Sequence, residues 1–196
     1  MQMDIAISET VIECWHNVKA PPPPPIVPVT VEPAKTALFV MDFLRDICTP
    51  EKRPRAAVAL PKLQAFLQQA RAHGMLVVHT TTRTGNASEL ADAVAPIDGE
   101  RVYSAKFDKF HGNDLEQVLR RHSVDTVIAT GTSANGCLLF TVSGAVLRDF
   151  RVIVPIDGMP AATAYQEQFV AWEIANAPVI HQKAVLTRFD AISFLK

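Results

Sequence analysis

Residues 126–137 read TVIATGTSANGC, an apolar stretch followed by a glycine-containing turn and a cysteine. The first five of these residues have the composition of a buried β-strand. The apolar sequence after Cys137 predicts a helix over residues 135–148. A strand that runs through a short turn directly into a helix is the repeating unit of α/β proteins, in which helices connect parallel strands.

The same alternation continues on both sides of this unit. Residues 37–41 form a continuous apolar run, as expected of a strand that is buried on both faces. Residues 60–71 have apolar side chains along one helical stripe. The other predicted strands are residues 75–80, 101–105, 152–155 and 184–187, and the other predicted helices begin at Asn113 and cover residues 165–175. This order predicts a three-layer αβα, Rossmann-like fold with a mostly parallel sheet of about six strands.

The N-terminal part of the chain differs in composition from the rest. Residues 21–25 are consecutive prolines, which lack N–H groups to donate and favour the extended polyproline II conformation. We therefore predict an N-terminal arm over residues 1–35, with a stiff spacer that lies along the body or on a neighbouring subunit. A poorly ordered tail is the alternative. Residues 36–196 form the predicted α/β domain.

The composition excludes several classes of protein. Of 196 residues, 48% are hydrophobic, so one domain with a complete core is expected. A formal net charge of −1, without a basic cluster, argues against a nucleic-acid partner. No apolar stretch approaches the roughly 20 residues that span a membrane, and the first residues do not resemble a signal peptide. Cys14, Cys48 and Cys137 lie far apart without a CxxC pair, which indicates reduced thiols and a cytoplasmic location.

The residues that follow each strand are the candidates for function, because ligands of parallel α/β sheets bind at the carboxyl ends of the strands. Asp42 follows the first strand, as either a turn residue or a carboxylate for acid–base chemistry. Lys106 and Lys109 follow the third strand, either solvated or placed to keep a carboxylate charged. Cys137 lies at a helix start, where the dipole and free N–H groups predict a lowered thiol pKa and a nucleophile. A buried structural cysteine is the alternative.

Three motifs, in the same order along the chain, resemble those of the isochorismatase-like hydrolases, in particular their cysteine hydrolase and amidohydrolase branch. Residues 37–42 resemble the first strand of that family with its catalytic aspartate. Residues 110–115 (FHGNDL) resemble its F-x-x-T-D-L helix start, and residues 131–137 (GTSANGC) resemble its G-x-x-T-x-x-C turn. The resemblance extends over residues 36–190 and implies the α/β fold predicted above.

The resemblance implies a role for each strand-end residue. Cys137 would attack the carbonyl carbon of the substrate, and Asp42 would take the thiol proton and later give it to the leaving amine. A lysine would support both charges. Lys106 and Lys109 are both candidates for it, because Ser104 occupies the position at which the family usually has this lysine.

The resemblance also implies details of the turn and the pocket. A cis peptide bond between Thr132 and Ser133 would direct the amides of Ser133 and Cys137 at the oxyanion. Arg83 is either solvated or paired with a substrate carboxylate. Residues 80–84 (TTTRT) replace the Asp-x-His metal ligands of nicotinamidase-type members, so we predict no metal and no cofactor. The candidate pocket-lining residues are Leu44, Ile47, Arg83, Phe107, Phe110, Asn135 and Trp172.

We therefore expect hydrolysis of a C–N bond in a small amide, ureide or related carbonyl substrate through a cysteine thioester. The first alternative is vinyl-ether hydrolysis of the isochorismatase kind, with Asp42 as the acid and no role for the thiol. The second is a catalytically inactive relative that acts in binding or assembly. The expected partners are a small-molecule substrate and further copies of the chain in a homo-oligomer, a dimer or tetramer, with neither nucleic acid nor membrane.

Overall fold

The computed structural model describes residues 10–82 and 84–195, which form a central sheet of six strands. These strands are β2 (Thr36–Met41), β3 (Leu76–Thr81), β4 (Arg101–Ser104), β5 (Thr126–Gly131), β6 (Arg151–Pro155) and β7 (Ala184–Thr187). Their spatial order is β4-β3-β2-β5-β6-β7, and every pairing between them is parallel. A separate parallel pair consists of β1 (Val29–Val31) and β8 (Ile192–Phe194). The predicted mostly parallel sheet of six strands is confirmed.

Helices cover both faces of the sheet. They are α1 (Pro54–Ala72), α2 (Leu115–Arg121), α3 (Leu139–Leu147), α4 (Ala164–Asn176) and α5 (Ile180–Lys183). Leu38 and Val40 of β2 pack with α1, whereas Phe39 and Met41 pack with α2, α3 and α4 on the opposite face. Because alternate residues of a strand point to opposite faces, this two-sided burial explains the continuous apolar run of β2. Among the described residues, none of the helices is long and apolar enough to cross a membrane.

Three helices begin more than one residue away from the predicted start. α3 begins at Leu139 rather than at residue 135, because residues 134–138 form a wider turn of the π type. α1 begins at Pro54 rather than at residue 60, with the proline in the first turn, where its missing N–H costs nothing. The first turn of this helix (PRAA) has no large apolar side chain that would reveal it in the sequence. α2 begins at Leu115, and the side-chain oxygen of Asn113 accepts a hydrogen bond from the Leu115 N–H at 3.0 Å.

The order of the strands changes direction between β2 and β5. The chain first extends the sheet from β2 through β3 to β4, and then returns to add β5 on the other side of β2. In open α/β sheets, ligands bind in the crevice outside the carboxyl ends of the strands at such a point. Asp42 directly follows β2, and the turn with Cys137 directly follows β5. The fold therefore brings the ends of both segments to one crevice.

The described part of the predicted arm runs along the body of the chain. The Val27 N–H donates to the Leu186 carbonyl of β7 at 2.9 Å. Pro23, Pro24 and Ile26 line a groove next to α4, and β1 pairs with β8. The boundary between arm and domain at residue 35 stays a prediction, and residues 1–9 lie outside the described residues.

Candidate active site

Three side chains from separate parts of the chain meet at the carboxyl ends of β2 and β5. The Lys109 ammonium lies 2.9 Å from Oδ1 and 2.7 Å from Oδ2 of Asp42. The Cys137 thiol lies beside the same carboxyl group, and the two groups influence each other's pKa. A carboxylate, an ammonium and a sulfur therefore form one buried cluster, and two of its members, Asp42 and Cys137, line a cavity.

Asp42 leaves its strand in a left-handed backbone conformation, with a φ of 59°. Aspartate tolerates this region better than most residues. Its N–H donates to the Thr80 carbonyl of β3 at 3.1 Å, and the Thr80 hydroxyl donates to Oδ1 at 2.8 Å. These two hydrogen bonds hold Asp42 against β3, and its carboxyl group lies beside Cys137. Unusual backbone conformations of this kind concentrate at functional sites.

Lys109 is completely buried, and its ammonium has three sets of acceptors. In addition to Asp42, the carbonyl oxygens of Ala105 and Lys106 accept hydrogen bonds from Nζ, at 2.9 and 2.6 Å. Such acceptors are required, because a buried charge is tolerated only when it is paired and hydrogen-bonded. The Lys106 side chain is exposed and lies at the cavity wall. Of the two candidate lysines, the structure brings Lys109 and not Lys106 to the Asp42 carboxylate.

The turn between β5 and α3 holds Cys137 in position. The Thr132–Ser133 peptide bond is cis, as the resemblance implied. Residues 134–138 then form a wide turn of the π type, and the cysteine sulfur lies 3.8 Å from the Ser133 carbonyl oxygen. Gly131 suits the end of β5, because a Cβ atom there would lie 3.0 Å from Cβ of Met41, 3.2 Å from its carbonyl oxygen and 3.3 Å from the Cys137 sulfur. Without a side chain at this position, β2 and the cysteine can both pack closely against β5.

Burial raises the pKa of the Cys137 thiol well above its usual range, and the negative charge of Asp42 raises it further. The Lys109 ammonium and the Leu138 N–H lower this pKa, but they do not outweigh burial. The prediction of a lowered thiol pKa is therefore wrong, because the cysteine is only 4% exposed and lies beside a carboxylate. Burial also raises the pKa of Asp42, and the charge of Lys109 opposes that rise. The raised pKa therefore favours the protonated thiol, which lies beside the Asp42 carboxyl group.

The cavity beside this cluster has a volume of about 410 Å³, which suits a small molecule. Of the predicted lining residues, Leu44, Ile47 and Phe107 do line it. The complete described lining is Asp42, Leu44, Ile47, Arg53, Thr82, Lys106, Phe107, Thr132, Ser133, Gly136 and Cys137.

Three predicted lining residues lie elsewhere. Phe110 is buried among aromatic rings of the core. Asn135 is exposed, and its side-chain oxygen accepts a hydrogen bond from the Ser133 hydroxyl at 2.6 Å. Trp172 is 40% exposed on α4, away from the cavity. A position near a strand end does not determine the direction of a side chain, which explains these differences. Arg83 falls outside the described residues.

Three residues of the site were missed by the sequence reasoning, namely Arg53, Thr82 and Thr80. Arg53 lines the cavity from the irregular segment before α1, where no periodic pattern indicates the direction of a side chain. Thr80 reaches Asp42 because β2 and β3 pair with Met41 opposite Thr80. The contact between Thr80 and Asp42 could therefore be predicted only from the pairing of β2 with β3, and that pairing exists only in the folded sheet.

Other parts of the described chain contain no comparable chemistry. A groove of about 450 Å³ beside α1 and α4 is lined by residues of two ion pairs, Arg55–Glu167 and Lys62–Asp157, but holds no cysteine. No group of three or more His, Cys, Asp or Glu side chains that could hold a metal ion is found among residues 10–82 and 84–195.

Sequence comparisons identify one family model and relatives that are named as amidases. A family model described as "Isochorismatase domain" matches residues 36–184. N-carbamoylsarcosine amidase from Arthrobacter sp is 31% identical over 134 residues, which are 54% of this chain and 51% of that protein. The chain thus spans about half the length of this relative. Maleamate amidohydrolase from Pseudomonas putida is 30% identical over 148 residues, which are 61% of this chain and 70% of that protein.

Comparisons of structure agree with the fold. A cysteine hydrolase from Pseudomonas syringae pv. phaseolicola superposes with a TM-score of 0.71 at 23% identity, over 85% of this chain and 94% of that one. N-carbamoylsarcosine amidase from Thermoplasma acidophilum superposes with a TM-score of 0.68 at 23% identity, over 80% of this chain and 97% of that one. At these identities the likeness establishes a common fold.

Proposed function

Since the chain belongs to the isochorismatase family, we propose that it is a cysteine hydrolase that cleaves the C–N bond of a small amide, ureide or related carbonyl compound through a thioester. The observation that carries this proposal is the placement of Cys137 beside an Asp42 carboxylate that Lys109 also binds, at the wall of a cavity. A thiol, a base and a compensating cation are the groups that nucleophilic acyl transfer requires.

The first half of the reaction forms the thioester. Asp42 removes the thiol proton as the Cys137 sulfur attacks the carbonyl carbon, because the raised pKa of the thiol leaves little free thiolate beforehand. The negative charge moves to the carbonyl oxygen, which the N–H groups of Ser133 and Cys137 stabilise. Asp42 then gives its proton to the departing nitrogen, the C–N bond breaks, and ammonia or an amine leaves.

The second half hydrolyses the thioester. Asp42, again a carboxylate, takes a proton from water as the water oxygen attacks the thioester carbon. The C–S bond breaks, the sulfur takes the proton from Asp42, and the acid product leaves. The contact of Lys109 with both Asp42 oxygens makes a carboxylate less costly in a buried site.

The substrate range follows from the size of the cavity and from the relatives. A volume of about 410 Å³ favours a small substrate. N-carbamoylsarcosine and maleamate are the first candidates, because relatives that are 31% and 30% identical are named for them. A homo-oligomeric state and a cytoplasmic location stay predictions.

Ammonia release from a panel of these two compounds, simple ureides and aliphatic amides tests the proposal. Wild type is compared with Cys137→Ser and Cys137→Ala. Cys48→Ser is the matched control, because Cys48 is also buried and free but does not line the cavity. We expect the Cys137 variants to lose about 10³-fold or more in kcat/KM, and the control to stay within about threefold. Acid quenching during turnover should trap an acyl group on the Cys137 peptide, detected by mass spectrometry.

Two outcomes would contradict the thioester route. Turnover that survives in Cys137→Ala but is lost in Asp42→Asn would indicate acid catalysis without the thiol, as in vinyl-ether hydrolysis. Turnover of no compound in the panel, together with no acyl group trapped on the Cys137 peptide, would indicate a relative that acts in binding or assembly.

A further inference from the structure

Two positively charged side chains line the cavity without a carboxylate partner. Arg53 reaches it from the segment before α1, and Lys106 reaches it from the segment after β4. Neither forms an ion pair with another residue that the structure describes. The proposed thioester chemistry uses neither of them.

The charge of the described cavity lining is therefore positive. Asp42 is the one acidic residue of the described lining, and the buried ammonium of Lys109 compensates its charge. Arg53 and Lys106 add two further positive charges that nothing in the described lining offsets. Charges in a concave site interact through less water than charges on an open surface, so they attract an anion more strongly. A neutral amide would leave both of them unpaired.

Arg53 lies next to the turn that holds the proposed nucleophile. Its Nη1 is 3.5 Å from Oγ1 of Thr132, the residue that precedes the Ser133 N–H. The side chain is half-buried, so its guanidinium is held beside the turn. A planar guanidinium binds a carboxylate through two parallel hydrogen bonds, which fixes the orientation of the bound molecule as well as its position.

We propose that Arg53 binds a carboxylate of the substrate, with Lys106 as a second positive charge. The chain then hydrolyses amides or ureides of short carboxylic acids in preference to neutral amides of the same size. This specificity rests on the proposed function, because the anchored carboxylate and the reacting carbonyl group share one cavity. Arg53 binds and orients the substrate and transfers no proton.

Alkylation of Cys137 tests the proposal without a known substrate. Iodoacetate and iodoacetamide react with a thiolate in the same way, because the S–C bond forms, the C–I bond breaks and iodide leaves. Iodoacetate alone carries the carboxylate that Arg53 would bind. The ratio of the two rate constants, followed on the Cys137 peptide by mass spectrometry, is therefore independent of the thiolate fraction and reports the preference for an anion.

We expect the iodoacetate-to-iodoacetamide ratio at Cys137 to exceed that of a small free thiol by about tenfold or more, as one charge-assisted anchor allows. Arg53→Met should lower the ratio to within about threefold of the free-thiol value, because Lys106 remains, and Arg53→Lys should keep more of it. Lys106→Met should lower it by about threefold, because a point charge without the planar fork contributes less. Lys52→Met is the matched control, since Lys52 is exposed and does not line the cavity; its ratio should equal that of wild type.

An equal ratio in wild type and Arg53→Met would overturn the proposal. This result is distinct from failure of the proposed function, which appears as ammonia release that survives the loss of the thiol. If neither reagent modifies Cys137, the comparison of two amides below decides, and equal losses of kcat/KM for both in Arg53→Met would overturn the proposal. Succinamate and succinamide, which differ by one carboxylate, extend the test to turnover. Arg53→Met should lower kcat/KM about 30-fold for succinamate and less than about threefold for succinamide. If neither amide is turned over, the alkylation ratio alone decides.

Discussion

At the scale of single residues, the two oxygens of the Asp42 carboxyl group have different surroundings. Oδ1 accepts hydrogen bonds from the Thr80 hydroxyl at 2.8 Å and from the Lys109 ammonium at 2.9 Å. Oδ2 lies 2.7 Å from the same ammonium and makes no other hydrogen bond within the described residues. In the proposed mechanism Oδ2 would receive the proton from the sulfur, and we expect Thr80 to orient the Asp42 carboxyl group without touching the substrate.

Replacement of Thr80 by valine keeps the volume of the side chain and removes its hydroxyl donor. Burial is the largest influence on the pKa of Asp42 and raises it, while the Thr80 hydrogen bond lowers it. Loss of that bond should raise the pKa further, so the basic form of Asp42 appears only at higher pH. We expect the acidic limb of the kcat/KM profile to move up by about one pH unit. A pH–rate profile on the best substrate of the panel measures this shift.

Thr36→Val is the control for this prediction. It also removes a buried hydroxyl donor from β2, whose partner is the Glu32 carbonyl at the opposite end of the strand. Its acidic limb should coincide with that of wild type. An unchanged limb in Thr80→Val would show that Lys109 alone orients the carboxyl group.

At the scale of secondary structure elements, Glu100 connects α1, β3 and the loop before β4. Its carboxylate accepts two hydrogen bonds from Arg71 of α1, both at 2.8 Å, and lies 2.8 Å from Nε2 of His79 in β3. The Ile97 N–H donates to it at 3.1 Å. Burial alone would raise the pKa of Glu100, but the contacts with Arg71, His79 and Ile97 hold it at about 2.

Glu100→Gln should reveal the contribution of this cluster to stability. Because the pKa is about 2 in the folded chain against 4.5 ordinarily, the ionised carboxylate stabilises the fold above pH 4.5, and this stabilisation is lost as the pH falls toward 2. We expect the free energy of unfolding at pH 7 to fall by about 2–3 kcal/mol. The difference from wild type should shrink steadily as urea unfolding is repeated at lower pH.

A matched change at an exposed ion pair separates this effect from general acid sensitivity. Asp92 pairs with Arg45 at 2.6 Å, with most of both side chains in solvent. Asp92→Asn should leave the free energy of unfolding unchanged, because exposed pairs contribute little. A difference for Glu100→Gln that does not vary with pH would contradict the assigned pKa.

The part of the site that the sequence predicts is the part that follows strands with a recognisable apolar pattern. β2 and β5 are recognisable because strands buried on both faces give continuous apolar runs, and their ends put Asp42 and Cys137 at one edge. Lys109 and Lys106 were not distinguishable, because the segment after β4 has no periodicity. The choice between them depends on backbone carbonyls that surround one ammonium, which appear only in the folded loop.

The remaining parts of the site and fold depend on contacts between distant segments. No sequence pattern identifies Arg53 as a residue of the cavity, because it reaches the cavity from an irregular loop. β1 and β8 have three residues each, too few for an alternating pattern to stand out. The raised pKa of Cys137 follows from burial and from Asp42, whereas the sequence alone indicates only a helix start.

At the scale of the whole molecule, the segment before β1 covers one side of the sheet. β7 is the last strand on that side, and the Val27 N–H donates to its Leu186 carbonyl. Proline has no N–H, so the neighbouring prolines cannot themselves extend the sheet. An open strand edge promotes association with other chains. The proline-rich segment therefore protects the edge of β7.

Deletion of residues 1–28 should expose this edge and leave the active site intact. We expect the shortened chain to form larger particles as its concentration rises, with activity per folded molecule within about twofold of wild type. Light scattering after size-exclusion chromatography measures the particles. Deletion of residues 1–20 keeps the prolines and Val27, so its scattering should match that of the full chain. Equal scattering for both deletions would mean that the edge needs no cover.

The adjacency of β2 and β5 has a consequence for how the molecule is made. Asp42 and Cys137, which follow these two strands, are neighbours in space but are separated in the sequence by α1, β3, β4 and α2. A nascent chain therefore has the Asp42 carboxylate long before it has the sulfur. The cluster is completed late in synthesis, once β5 has joined β2, and under the proposed function a chain that stalls on the ribosome before that point would be inert.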